Sequence, residues 1–204
     1  MKILGVGHPR TGTGYTSALL KSWGINVGHE KFEEDGIVAW QCLISKYEYR
    51  VRNINRMPYM EEFIDLDKLE VEHIIHSIRD PKTAIPSIIK TEGGSTEWRA
   101  LWVPFSDKNT PIENAILSIV YTDHRIEGFF PDRFTYKIES EKDKLQEYLI
   151  NHGFDLNNMN EEPSKNHNKK REYKSDDLDW ESVRARFRTL INQYCTKYGY
   201  ETIY

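Results

Sequence analysis

Ile3-Leu4-Gly5-Val6-Gly7-His8-Pro9-Arg10-Thr11-Gly12-Thr13-Gly14-Tyr15-Thr16 is the informative stretch of this 204-residue chain. Residues 2–7 form an apolar run that breaks at Gly7 into a loop of glycines and hydroxyls. Residues 12–23 then carry Tyr15, Leu19 and Trp23 at a spacing of four, which predicts a helix face. A strand feeding a glycine-rich turn that opens a helix is the beginning of an α/β fold.

The rest of the chain keeps that alternation. Ile25 to Gly28 reads as a short second strand, and residues 36–50 and 58–69 read as helical. His73-Ile74-Ile75-His76-Ser77-Ile78 is a buried-type strand stopped by Arg79-Asp80-Pro81. Asp80 can cap the next helix, and Pro81 suits its first position, where a missing N–H costs nothing. Residues 112–130 place Ile112, Ile116, Ile119, Val120, Ile126 and Phe130 on one stripe. Phe134 to Ile138 predicts another strand, with Leu145 and Leu149 on the helix after it. Trp180, Val183, Phe187, Leu190, Ile191, Tyr194 and Tyr198 predict a C-terminal helix packed on the core. Residues 92–111 and 155–177 read as long loops. The expectation is an α/β fold in three layers, with a central mainly parallel sheet flanked by helices, built as a single domain over residues 1–204.

Composition narrows the function. Twenty-eight Lys and Arg against 32 Asp and Glu give −4, which disfavours general binding to nucleic acid or to an anionic membrane. Two cysteines make neither a disulfide framework nor a CxxC metal pair. Without a signal peptide at Met1–Gly7 or an apolar run of about 18 residues, a cytoplasmic protein is expected.

The loop itself suits an anion. Amides at a helix start converge on one point, the helix dipole adds positive potential, and Arg10 adds charge. Gly7 and Gly12 have the spacing of a Walker A loop, but Thr13 stands where that motif needs Lys. The residue that would reach the terminal phosphates of a nucleoside triphosphate is therefore missing.

Pro9-Arg10-Thr11-Gly12-Thr13, after an apolar strand and before a helix, resembles the 5′-phosphosulfate loop of the sulfotransferase family. The resemblance implies a P-loop-like fold and use of 3′-phosphoadenosine-5′-phosphosulfate (PAPS), bound through Arg10, Thr11, Gly12, Thr13, Gly14 and Tyr15. The family holds the 3′-phosphate with an Arg at the end of a central strand and a Ser eight residues later, which Arg79 and Ser87 match. A guanidinium offers phosphate a planar fork of donors, and a serine two turns along adds a hydroxyl. Pro86 should kink that helix. Asp80, which could be read as a Walker B carboxylate, is more economically the helix cap.

Transfer to a hydroxyl or amine requires a base. Gly28-His29-Glu30-Lys31 follows the presumed second strand, where a parallel sheet presents its ligand edge. Glycan-type sulfotransferases resemble the chain more closely here than the cytosolic small-molecule members, which use His. Glu30 is therefore expected as the base, with His29 second and Glu33 and Glu34 behind it. Arg10 is expected to stabilise the leaving oxygen. His8 reads as a loop residue, and no metal site is expected. The basic run Lys165–Lys174 is either a solvated loop or a lid. Trp98, Arg99 and Trp102 either line an acceptor pocket or belong to the core.

The sequence thus predicts a PAPS-dependent sulfotransferase acting on a small molecule or carbohydrate. The other readings are a nucleotide or small-molecule kinase with a degenerate loop, and a nucleotide-binding module without catalysis.

Overall fold

The computed structural model describes residues 1–51, 69–91, 99–156, 163 and 178–204. The chain divides into two compact units, one of Met1–Ile78 with Ile126–Lys169, the other of Arg79–Arg125 with Lys170–Tyr204.

The first unit carries the sheet. Its strands are β1 (Ile3–Val6), β2 (Val27–His29), β3 (Gly36–Val38), β4 (His73–Ile78) and β5 (Phe134–Lys137). They lie in the order β2-β3-β1-β4-β5, and every neighbouring pair is parallel. The fold is α/β, a five-stranded, all-parallel central sheet flanked by helices. Parallel strands are covered on both faces, and β1 is buried at all four positions. Leu19, Leu20 and Trp23, from α1 (Thr13–Ser22) and the residue after it, pack with Ile3, Val38, Ile75 and Tyr136 of the strands. Leu145 and Leu149 of α5 (Lys142–Asn151) join the same core. The remaining helix here is α2 (Lys46–Val51), started by a capping box in which Ser45 and Glu48 exchange bonds to each other's amides.

Residues 36–38 correct the sequence reading. They are a strand, not the start of a helix, and helix in 36–50 is confined to a 3₁₀ turn at Trp40–Leu43 and to α2. A buried run of three residues carries too little periodicity to separate strand from helix. Gly36 decides the matter sterically. Its φ is +134°, and a Cβ there would strike the backbone carbonyl of Ile3 on the adjacent strand. Of the expected helix over 58–69, only Leu69 lies among the described residues.

The second unit is built from α3 (Pro81–Thr91), α6 (Ala185–Tyr198) and the Pro111–Arg125 part of α4 (Pro111–Phe129). Ile85, Ile88, Ile112, Ile116, Phe187 and Ile191 form its core. Asp80 caps α3 as expected, its Oδ1 accepting from the Lys82 amide at 2.8 Å. The C-terminal helix is shorter than its apolar stripe. Trp180 sits in a separate 3₁₀ turn, where the Asp179 carboxylate accepts from the Ser182 amide, and Ala185 opens the α-helix. Arg99 is fully buried, and the Trp102 ring packs on this core under Arg125, 4.5 Å from its guanidinium carbon. Of the aromatic cluster expected near 98–102, these two residues therefore belong to the core. Trp98 and the basic run 165–174 fall outside the described residues.

Cys42 and Cys195 are both buried free thiols. Among the described residues, no helix is long and apolar enough to cross a membrane.

Candidate active site

Parallel pairing puts the carboxyl ends of all five strands on one edge of the sheet. The chain runs from β1 outward to β2, returns through β3, and reaches β4 on the other side of β1. The order therefore reverses between β1 and β4, the position where open α/β sheets bind ligands. The glycine-rich loop leaves β1 at that point.

Local chemistry sets the loop's path. The Thr11 amide donates to the His8 carbonyl at 2.9 Å, closing a tight turn over Pro9 and Arg10. Arg10 has φ +77°, and Gly12, before the helix, has φ +101°. A Cβ on Gly12 would lie 2.7 Å from Ile138 Cδ1, and one on Gly7 would lie 2.6 Å from Ser77 Oγ. Both glycines thus let the loop press against the ends of β4 and β5.

Thr11 is buried, and its hydroxyl donates to the carbonyls of His8 at 2.7 Å and Ser77 at 3.1 Å. This side chain sets the shape of the loop and ties it to β4. Thr16 does the same from within α1. Its hydroxyl reaches the Gly12 carbonyl at 3.0 Å and the hydroxyl of fully buried Tyr136 at 2.7 Å. Tyr136 and Ser77 were not singled out by sequence reasoning, because their partners lie 120 and 66 residues away.

The helical ladder begins with the Thr16 amide on the Gly12 carbonyl at 2.8 Å. The amides of Thr13, Gly14 and Tyr15 come before it, at the positive end of the α1 dipole. Thr13 is buried, with its hydroxyl 3.4 Å from His29 Nε2 at the end of β2. His29 is exposed at its edge, yet desolvation holds its pKa below the usual histidine value, against the opposing pull of Glu30. The imidazole is therefore neutral near pH 7 and can accept a proton. Glu30 is half-buried, with its amide on the Val38 carbonyl at 3.1 Å and φ +55°.

Arg10 and Glu30 are the non-glycine residues with positive φ among the described residues. Left-handed backbone costs an L-residue about 1–2 kcal/mol, and such strain gathers at functional sites. The two side chains expected to carry the chemistry are also the two held in this conformation.

In the second unit, Arg79 follows the end of β4 in the chain. Its Nε donates to Thr83 Oγ1 at 3.0 Å. Ser87 is buried in α3 four residues beyond Thr83, so Thr83 and Ser87 share one helix stripe, while Arg79 precedes the helix. Pro86 stands inside α3, where it has no amide to donate to the Lys82 carbonyl.

A cleft of about 340 Å³ opens in the first unit beside α1, lined by Gly14, Ser17 and Lys21 on the helix and by His29, Lys31 and Glu33 across from them. Among the described residues, no cluster of three or more His, Cys, Asp or Glu could hold a metal ion.

No family model matches the chain, and neither a curated protein nor a solved structure matches it.

Proposed function

We propose that this chain is a sulfotransferase that moves a sulfuryl group from PAPS to a hydroxyl or amine. The observation that carries the reading is the left-handed backbone of Arg10, in the loop between β1 and α1, and of Glu30, directly after β2.

In this reading the amides of Thr13, Gly14 and Tyr15 hold the 5′-phosphosulfate, and Gly12 lets the backbone approach it. Thr11 holds the loop in shape rather than donating its hydroxyl to the ligand. Arg79 and Ser87 hold the 3′-phosphate, which distinguishes this nucleotide from ATP. The acceptor oxygen or nitrogen attacks sulfur in line. As that bond forms, the bond from sulfur to the bridging oxygen of the 5′-phosphate breaks. The electron pair stays on that oxygen, giving adenosine 3′,5′-bisphosphate, and the acceptor's proton passes to Glu30 or, second, to His29. Arg10 and the loop amides balance the charge that develops on the leaving oxygen. The transition state is loose, so positioning and electrostatics do most of the work.

Calorimetry of the whole chain tests the class directly. Adenosine 3′,5′-bisphosphate should bind without a metal and much more tightly than ATP with magnesium. The reverse order would instead indicate a kinase. Binding of the bisphosphate with no transfer from PAPS to any of a broad acceptor panel, and no effect of Glu30→Gln, would indicate a non-catalytic module.

A further inference from the structure

We propose that the cleft beside α1 receives the acceptor, and that Lys21 selects acceptors carrying an anionic group roughly 10 Å from the group that is sulfated. The inference rests on the transferase reading above. Gly14, Ser17 and Lys21 line the cleft from the helix side and step by three and four along one stripe. Lys21 lies seven positions along the helix from Gly14, about 10 Å at about 1.5 Å per residue. Gly14 adjoins Thr13, whose hydroxyl meets His29, so one end of the stripe lies where transfer is proposed. The other end is a lysine.

The lining fits a hydrophilic ligand. Small-molecule clefts of about 300–1,000 Å³ are mostly apolar and aromatic. This one has a single apolar side chain, Ala18, and no ring other than the imidazole of His29. A phenol or steroid would find almost nothing to pack against. The charges are not balanced either. Lys31 pairs with Glu33 at 3.4 Å, and the Ser17 hydroxyl is held by the Val27 carbonyl at 2.8 Å. Lys21 has no ion-pair partner among the described residues. It also complements the carboxyl end of the α1 dipole, which favours a cation there whether or not a ligand is bound.

The test compares cellobiose with cellobiouronic acid, disaccharides that differ by one carboxylate, with amide NMR titration of the full chain in saturating adenosine 3′,5′-bisphosphate. The uronic acid should bind about tenfold more tightly, the effect of one charge-assisted contact, and should shift the Gly14 and Ser17 amides. Lys21→Glu should abolish the preference, while Lys46→Glu, the same charge change at an exposed lysine outside the cleft lining, should keep it. Equal affinity for the two sugars, or a preference that survives Lys21→Glu, overturns the inference. The bisphosphate titration is read separately. Its failure defeats the transferase reading, whereas bisphosphate binding with no sugar preference defeats this inference alone.

Discussion

Thr13, in the first turn of α1, and His29, closing β2, meet through their side chains, hydroxyl to Nε2 at 3.4 Å. The first turn of α1 thus touches a neutral imidazole one residue before Glu30. Two candidate bases stand next to each other in sequence, and pH can tell them apart. With Glu30 as base, the acid limb of turnover persists in His29→Asn. Glu30→Gln then lowers kcat by about 10²- to 10⁴-fold. Loss of the limb in His29→Asn, with Glu30→Gln near normal, would assign the proton to His29, whose depressed pKa places that limb below the usual histidine range.

Arg10 should show opposite signs in stability and rate. Arg10→Gly relieves the left-handed strain and is expected to raise stability by up to about 1 kcal/mol, because glycine's extra chain entropy offsets part of the gain. The same change should cost about 100-fold or more in turnover, comparable to losing one oxyanion donor. Thermal melts and kinetics on one preparation check both. Near-normal turnover would remove Arg10 from the chemistry.

Arg79 should govern the 3′-phosphate alone. Arg79→Ala is expected to weaken adenosine 3′,5′-bisphosphate by about 1.5–3 kcal/mol, roughly 10- to 150-fold, and to leave 5′-AMP affinity unchanged. Calorimetry with both nucleotides reads the difference. Equal losses for the two would mean that Arg79 supports the fold rather than the phosphate.

How much of this was legible beforehand followed the range of the interactions. The strand His73–Ile78 stood out because an apolar run ends at a capping Asp and a Pro, all within nine residues. The loop from Gly7 to Thr16 was equally local. Gly36–Val38 was not legible, since its identity depends on how closely it approaches Ile3. The stripe from Trp180 suggested a longer helix, because apolar spacing runs on through a 3₁₀ turn that only the Asp179 cap reveals. At the site, the glycine-rich turn between β1 and α1 could be read from residue types. Thr11 on Ser77 and Thr16 on Tyr136 could not, because no short pattern encodes partners so far apart.

Glu113 offers a stability test in the second unit, independent of catalysis. Its buried carboxylate accepts from Arg184 Nε at 2.7 Å, from the Arg184 amide at 3.0 Å and from the Thr110 amide at 2.9 Å. The hydrogen bonds from Arg184 dominate and hold its pKa down to about 2, against the usual 4.5. A depressed carboxyl pKa contributes stability above the unfolded value and loses it as pH falls through the folded one. Stability should therefore decline between pH 4.5 and about 2. Glu113→Gln should flatten that decline and cost about 2 kcal/mol at neutral pH. Denaturant midpoints across the range measure both, and an unchanged acid slope in the variant would refute the assignment.

The enclosed pair of Thr16 and Tyr136 has a practical consequence. Burial pushes the phenol's pKa above its ordinary value, and its proton is shared with a hydroxyl directly beneath the first turn of α1. Protons screened in this way trade slowly with bulk water, so this one should give its own downfield resonance. Any anion settling on the loop will move that resonance, which makes the molecule carry its own label-free gauge of occupancy.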